Sequence, residues 1–130
     1  MAKLRHIAMV AEDMENTARF YEKSFGMDRV RQSETAIGLS DGVVSLVIIH
    51  PSNVNMKGDA RRGVHHIGFL VDDMEKMSAI VEENGARYHG EILGAGTGPM
   101  SERKYLDPSG QMFDLTMPEY ARDTWHIRVE

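Results

Sequence analysis

The segment that most constrains the fold of this chain occurs twice, 60 residues apart. Residues 5–15 (RHIAMVAEDME) align with residues 65–75 (HHIGFLVDDME), and five of the eleven positions are identical. Each copy carries a histidine at its second position, His6 in the first and His66 in the second. Repetition at a fixed spacing indicates one supersecondary unit used twice. Two such units are expected to bury their apolar faces together.

Each unit has the pattern of a strand, a helix and three further strands. In the first unit, alternation predicts a strand over 3–11, and Asp13 predicts the start of a helix that runs to about Phe25. Gly26 is typical of the residue that follows a helix end. The other predicted elements are strands at 27–33, 35–40, 43–49 and 64–71, a helix from Asp73 to about Asn84, and strands at 86–92, 101–106 and 111–117.

This element order predicts an α+β fold in a single domain, residues 1–130. Two tandem βαβββ modules, about 3–50 and about 64–118, would form a curled mixed sheet around a metal or ligand cavity, with helices on the other face. A polar linker over 51–63 joins the modules, and a non-periodic tail follows over 119–130.

Composition excludes several classes of function. A net charge of −5 and the lack of a basic stripe argue against nucleic-acid binding. No apolar run reaches the length of a membrane span, and no secretory leader is recognised, so a cytoplasmic protein without membrane contact is expected. The chain has no cysteine, so a metal site would have to use histidine, aspartate or glutamate.

The strand that opens the second copy has two chemically different faces. Ile67 and Phe69 form an apolar face suited to lie under a helix, whereas His66 and Gly68 lie on the opposite face. Ala8 takes the place of Gly68 in the first copy. Each histidine therefore has a small residue two positions along, which we interpret as room for a bound group.

The last predicted strand, 111–117, adds a carboxylate to the two histidines. Asp114 alternates with Phe113 and Leu115, and a buried aspartate is costly unless it is paired or bound to a metal. Together, His6, His66 and Asp114 make a two-histidine, one-carboxylate set. This set is typical of Fe(II), with Mn(II), Zn(II) and Ni(II) as alternatives.

For several other residues the sequence supports two interpretations. One of Lys104 and Tyr105, on the neighbouring strand, is expected to face the cavity and to act as an acid or base. Arg61 and Arg62 could bind an anionic group of a substrate, or they could be solvated charges in the linker. The glycine loop at 94–98 lacks dinucleotide-binding spacing and is read as a lid or a plain loop. Trp125 is expected to pack against another part of the protein, and a partner subunit is one candidate surface.

The paired openings HIAMV and HHIGFLVDD, with the closing YLDPSGQMFDL, resemble the vicinal oxygen chelate superfamily over residues 3–118. That superfamily includes glyoxalase I, type I extradiol dioxygenases, methylmalonyl-CoA epimerase, fosfomycin resistance enzymes and bleomycin-resistance proteins. The resemblance implies the fold described above, a small-molecule substrate and a homodimer. It does not fix the activity, because function resides in the site rather than in the fold.

The resemblance also implies a ligand set. The family places up to four metal ligands on the first and last strands of its modules, which here correspond to His6, His66 and Asp114, where glutamate is usual. The fourth position falls on Val47 or Leu46, both apolar. Extradiol dioxygenases use two histidines and one carboxylate, so the leading prediction is an extradiol ring-cleaving enzyme acting on a catechol-like substrate. The alternatives are a glyoxalase- or epimerase-type lyase or isomerase, and a metal-free drug-binding or resistance protein.

Overall fold

A computed structural model describes residues 2–53, 62–92 and 102–130, with the side chains of 91–92 left aside. Most of the predicted linker, and the glycine loop at 94–98, lie outside the described residues.

The described elements follow the predicted order of two βαβββ units. Each predicted strand and helix is present, and its boundaries lie within two residues of the prediction. The elements are β1 (Lys3–Val10), α1 (Met14–Phe25), β2 (Asp28–Gln32), β3 (Ala36–Ser40), β4 (Ser45–Ile49), β5 (Gly63–Leu70), α2 (Met74–Glu83), β6 (Arg87–Ile92), β7 (Glu102–Leu106), β8 (Met112–Thr116) and α3 (Pro118–Tyr120).

All eight strands belong to one mixed, curled and unclosed sheet, in the order β2-β3-β4-β1-β5-β8-β7-β6. The first strands of the two units, β1 and β5, pair antiparallel at the centre. Each also pairs in parallel with the last strand of its own unit, β1 with β4 and β5 with β8. The two units are therefore related by an approximate twofold axis between β1 and β5.

The helices begin where the sequence predicts. The Asp13 carboxylate accepts a hydrogen bond from the Asn16 backbone at 3.0 Å, and the Asp73 carboxylate accepts one from Lys76 at 3.0 Å. Gly26 ends α1 with a φ of 71°, a left-handed conformation that glycine adopts without strain. Among the described residues, no helix combines the length and apolarity needed to cross a membrane.

Each helix covers the apolar face of its own half of the sheet. Ala18 of α1 packs on Ile37, Leu39, Leu46 and Ile48. Beneath α2, Ile67, Phe69, Phe113 and Leu115 pack with Met74 and Tyr105, which confirms the predicted apolar faces of β5 and β8. Helical spacing of Met14, Ala18, Tyr21 and Phe25 predicts one buried stripe along α1, and Phe25 departs from it. It is the last residue of the helix and is 68% exposed, with its ring against Phe20 and Tyr21.

The tail is more ordered than its lack of periodicity indicates. After α3 the chain makes a turn of π-helix over Ala121–Trp125 and then crosses to the first unit. There the Ser40 hydroxyl donates to the His126 carbonyl at 2.9 Å, and the Arg128 N–H donates to the Gly42 carbonyl at 2.9 Å. Within this one chain, Trp125 packs on Leu70, Ala121 and Ile127.

Candidate metal centre

The two predicted histidines and the predicted aspartate meet on the concave face of the sheet. One ligand atom from each of His6, His66 and Asp114 lies within 4.8 Å of the others, and all three residues are buried. Strand register brings them together, because His6 lies opposite Gly68 on β5, and Gly68 in turn lies opposite Asp114 on β8.

Both histidines are held by their Nδ1 atoms. The Ser45 Oγ lies 3.0 Å from His6 Nδ1, and His65 Nδ1 lies 2.7 Å from His66 Nδ1. A metal-binding histidine usually has its second ring nitrogen fixed in this way, which orients the ring and selects the tautomer. In this arrangement the Nε2 atoms remain for a metal.

Asp114 divides its two oxygens between different partners. Its Oδ1 accepts a hydrogen bond from the Lys104 ammonium at 2.7 Å, and its Oδ2 lies 3.2 Å from His66 Nε2. Two ligand atoms that share a metal with bonds of about 2.1 Å are roughly 3 Å apart. The aspartate therefore reaches His66 despite being one methylene shorter than the glutamate usual in the family, and with His6 within 4.8 Å the donor set fits a divalent metal.

Electrostatics also suit the residues to metal binding. Burial, followed by the charge of His66, lowers the pKa of His6 from 6.5 to about 3, so the ring is neutral near pH 7. Burial alone would raise the pKa of Asp114, but the charge and hydrogen bond of His66, and the charge of Lys104, bring it below the ordinary value. A neutral imidazole and an ionised carboxylate are the forms that bind a metal.

The fourth position of the family pattern falls on Val47. Val47 lies opposite Ala8 on β1 in the same way that Asp114 lies opposite Gly68 on β5. The alternative, Leu46, lies in the core on the helix face. Val47 lines the cavity and offers no donor atom, so three of the four family positions carry candidate ligands.

The two residues predicted as acid or base candidates lie on opposite faces of β7. Lys104 is in the cavity and is paired with Asp114. Tyr105 lies in the core under α2, stacks on Phe113, and donates from its hydroxyl to Glu82. Of the two, only Lys104 is positioned next to the metal ligands. Arg62, a candidate for anion binding, pairs with Glu12, and Arg61 is outside the described residues.

The cavity in front of the three candidate ligands has a volume of about 270 Å³. Its wall comes from both units and from the tail, which places Trp125 directly over the site. The Trp125 indole stacks on the His6 ring, with centroids 4.4 Å apart and an angle of 6° between the planes. The lining residues are His6, Ala8, Arg31, Ser33, Ala36, Val47, Ile49, Asn53, His65, His66, Glu102, Lys104, Tyr120 and Trp125.

Sequence reasoning missed Glu102, a buried carboxylate in this wall. Burial, and then the negative charge of Asp114, raise its pKa from 4.5 to about 8. A signal was available, because Glu102 and Lys104 are two apart on one strand and must share a face. The same reasoning does not find Arg31, since a bulge in β2 sets its direction.

Solved structures with the same fold come from several kinds of protein. They include a hypothetical protein, BH1468, from Bacillus halodurans C-125, with 16% identity, a TM-score of 0.66, and coverage of 89% of this chain and 94% of that one. Methylmalonyl-CoA epimerase from Mycobacterium tuberculosis has 19% identity, a TM-score of 0.67, and coverage of 88% and 87%. The Mn(II)-bound glyoxalase from Novosphingobium aromaticivorans has 16% identity and a TM-score of 0.67, with 90% of this chain matching 40% of that one.

At these identities, the structures define the fold of the chain and not its activity. No curated protein matches the sequence. The family itself is established by sequence, because the model of the Glyoxalase/Bleomycin resistance protein/Dioxygenase superfamily matches residues 3–115. The chain belongs to this superfamily, as its resemblance to the vicinal oxygen chelate proteins predicts.

Proposed function

We propose that this protein is a metal-dependent enzyme that moves a proton on a small oxygenated substrate, as a lyase, isomerase or epimerase. The observation that carries the proposal is the position of Glu102. It is a buried carboxylate in the same cavity wall as the three metal-ligand candidates. This class of reaction needs a base beside the metal, and Glu102 is the residue we propose for that role.

His6, His66 and Asp114 would hold the metal. A divalent metal in this place acts as a Lewis acid, which polarises a substrate carbonyl and makes the hydrogen on the adjacent carbon more acidic. Mn(II) and Fe(II) suit two imidazoles and a carboxylate. Ser45 and His65 would keep both histidine rings in the orientation that binding needs.

Glu102 would take the proton from the substrate carbon and return it at a neighbouring carbon. In an epimerase, where the proton must reach the opposite face of the same carbon, Glu102 would act as one of two acid–base groups. A side chain that alternates between acid and base works best when its pKa is near the working pH. Burial and Asp114 place the pKa of Glu102 at about 8, so the carboxylate and the carboxylic acid are both accessible. A buried carboxylate with few water contacts is also a stronger base than one in bulk water.

Lys104 would position Asp114. Its ammonium binds Oδ1 and leaves Oδ2 towards His66, which favours a single oxygen as the metal ligand. The stacked Trp125 covers the other side of His6 and reduces access of water to the site.

A second candidate is the extradiol ring-cleaving dioxygenase. The specific observation in its favour is Val47 at the fourth ligand position, which leaves two histidines and one carboxylate. That ligand set is typical of Fe(II) oxygenases with open coordination positions. The two candidates differ in what they consume, because only the dioxygenase uses O₂.

Hydrogen–deuterium exchange tests the leading proposal. The protein is loaded with Mn(II), and 2-oxobutyrate in D₂O is followed by proton NMR for loss of the signal from its C3 hydrogens. Exchange above the buffer rate is expected, with a decrease of about 10²- to 10⁴-fold in Glu102→Gln. Glu82→Gln is the matched control, since Glu82 binds Tyr105 on the far face of β7.

Three measurements separate the alternatives. Metal content is determined for the wild type, His66→Ala and Asp114→Ala. A wild type with about one metal ion per chain, and variants with none, would support the site. Oxygen uptake with catechol by the Fe(II)-loaded protein, without deuterium exchange, would favour the dioxygenase. A protein that takes up no metal would contradict both enzyme classes and leave binding of a small molecule or drug.

We also propose that the protein forms a homodimer, as the family resemblance implies. Light scattering of the purified chain at several concentrations tests this, and a mass of 14.6 kDa throughout would contradict it.

A further inference from the structure

A bulge in β2 sends two neighbouring arginines to opposite faces of the sheet. Residues two apart on a regular strand share a face. Here the pairing with β3 shifts between Arg29 and Arg31, so Arg29 lies opposite Leu39 whereas Arg31 lies opposite Gly38. Leu39 is in the core under α1, and the neighbouring Gly38 is on the cavity face. Bulges commonly redirect a side chain in this way.

The two arginines have different electrostatic partners. Arg29 forms ion pairs with Glu15 at 2.7 Å and Glu22 at 2.8 Å, which neutralise it on the helix face. Arg31 lines the cavity. Over the part of the chain that the structure describes, no carboxylate lies within ion-pair distance of Arg31. Its guanidinium is therefore a cation in the cavity wall without a direct ion pair among the described residues, and its charge acts on Glu102, whose pKa it lowers against the effect of burial.

The backbone of Gly38 provides the space for this side chain. A Cβ atom added to Gly38 would lie 3.4 Å from Arg31 Cβ and 3.6 Å from Arg31 Nε. The stem of the arginine therefore lies flat across β3. Tyr120 borders the same region, and burial together with the charge of Glu102 raises the pKa of its hydroxyl to about 12, against the effect of Arg31. The Tyr120 hydroxyl thus stays neutral: it is a hydrogen-bond partner of Arg31 but brings no negative charge to the guanidinium.

The second unit has the same bulge with the residues exchanged. Pairing of β6 with β7 shifts between Tyr88 and Gly90, and Gly90 lies opposite Lys104. In the first unit the edge strand carries the cation and the inner strand the glycine, and in the second unit this is reversed. The second cation is already neutralised, because Lys104 is paired with Asp114 at 2.7 Å.

We infer that the substrate carries a carboxylate group, and that Arg31 binds it from the edge of the cavity on the β2 side. A guanidinium forms two parallel hydrogen bonds with a carboxylate, which fixes the direction of the bound molecule. A volume of about 270 Å³ admits a small organic acid. With its carboxylate on Arg31, such an acid directs its carbonyl or hydroxyl end into the cavity, towards the metal ligands and Glu102. The role of the carbonyl or hydroxyl end rests on the proposed function, whereas binding of the carboxylate by Arg31 does not.

Binding of matched charged and uncharged probes tests the inference. Pyruvate and pyruvamide have nearly the same shape and differ in charge. Both are titrated by calorimetry, and by the fluorescence of Trp125, the one tryptophan in the chain, which borders the cavity. The titrations are made with EDTA present, so that binding of the carboxylate to a metal cannot produce the charge preference.

Pyruvate is expected to bind more tightly than pyruvamide to the wild type. Arg31→Gln should weaken pyruvate binding roughly 10- to 100-fold and leave pyruvamide unchanged. Arg31→Lys should recover part of the loss, since it keeps the charge but not the planar fork. Arg87→Gln is the matched control, because Arg87 is an exposed arginine on the opposite edge strand, outside the cavity lining.

Equal loss of both probes in Arg31→Gln would overturn the inference, as would unchanged pyruvate binding, or a wild type that does not prefer pyruvate. Failure of the proposed function gives a different result. In that case Glu102→Gln leaves deuterium exchange unchanged, while the dependence of pyruvate binding on Arg31 persists.

Discussion

His6 lies directly against the bare backbone of Gly68. A Cβ atom at Gly68 would be 2.9 Å from His6 Cβ and 3.0 Å from His6 Cδ2. The two residues are opposite each other in the antiparallel pair of β1 and β5, and Ala8 is opposite His66 in the same ladder. The small residue two positions after each histidine thus makes room for the histidine of the other unit: Gly68 for His6, and Ala8 for His66.

Gly68→Ala should displace His6. A contact of 2.9 Å cannot be kept, so we expect a loss of unfolding free energy of about 1–3 kcal/mol, as for overpacking of a core. Metal affinity should decrease at the same time, because the ring moves. Urea unfolding and calorimetric titration with Mn(II) measure the two effects. In the double variant with His6→Gly, which removes the Cβ atom as well as the ring, the stability cost of the added methyl should largely disappear, and additive costs would contradict the contact.

Ser45→Ala should weaken metal binding without abolishing it. The serine hydroxyl is 3.0 Å from His6 Nδ1, and loss of such a partner typically reduces metal affinity by about 10- to 100-fold. Stoichiometry at saturating Mn(II) should remain that of the wild type. Ser78→Ala is the control, since Ser78 is buried but binds Arg103 under α2. An equal effect of the two substitutions would contradict a specific role for Ser45.

Val47→Asp should convert the apolar fourth position into a ligand. Without metal, a further buried carboxylate lacking a partner should cost about 3–5 kcal/mol. Mn(II) should recover much of that loss, so the rise in melting temperature on adding metal should exceed that of the wild type. Leu46→Asp is the comparison, because Leu46 faces the core, and metal should not rescue it.

In the metal-free protein, substitution of His6 and substitution of Glu102 should alter the pH dependence of the unfolding free energy in opposite directions. Burial and His66 lower the pKa of His6 from 6.5 to about 3, so the stability that neutral His6 contributes above pH 6.5 is lost as the pH falls towards 3. Burial and Asp114 raise the pKa of Glu102 from 4.5 to about 8, so its contribution is complete below pH 4.5 and is lost as the pH rises through 8.

Between pH 5 and pH 6.5 these two contributions oppose each other. Relative to the wild type, His6→Gln should lose stability as the pH rises over this range, and Glu102→Gln should gain it. Urea unfolding of the three proteins at the two pH values, with EDTA present, measures the difference. Parallel curves for all three would contradict the perturbed pKa values.

The sequence predicts most of this fold because the signals are local. Alternation in β1 and β5, capping by Asp13 and Asp73, and the repeat itself all act within a few residues, and the element order follows from them. The repeat also identifies His6 and His66, since equivalent strands place equivalent side chains on one face. Phe25 is the exception in α1, because periodicity does not show where a helix extends past the sheet that it covers.

The rest of the site depends on register, which a sequence does not display. Only the pairing of β4 with β1 distinguishes Val47 from Leu46 as the equivalent of Asp114. The bulge that directs Arg31 into the cavity leaves no local pattern. Trp125 reaches His6 through a tail that crosses from one unit to the other, and alternation along a strand carries no information about such a path.

The exchange of cation and glycine between the two units bears on stereochemistry. A cleft built from two identical halves would have a twofold axis and would accept a molecule equally well in either direction. Here a guanidinium at Arg31 marks one end, and an ammonium already bound to Asp114 marks the other. A substrate held in one direction presents a single face of a planar carbon to Glu102, so proton transfer by Glu102 would take place on that face alone. Handedness in such a cleft arises where the two halves of the duplication have diverged.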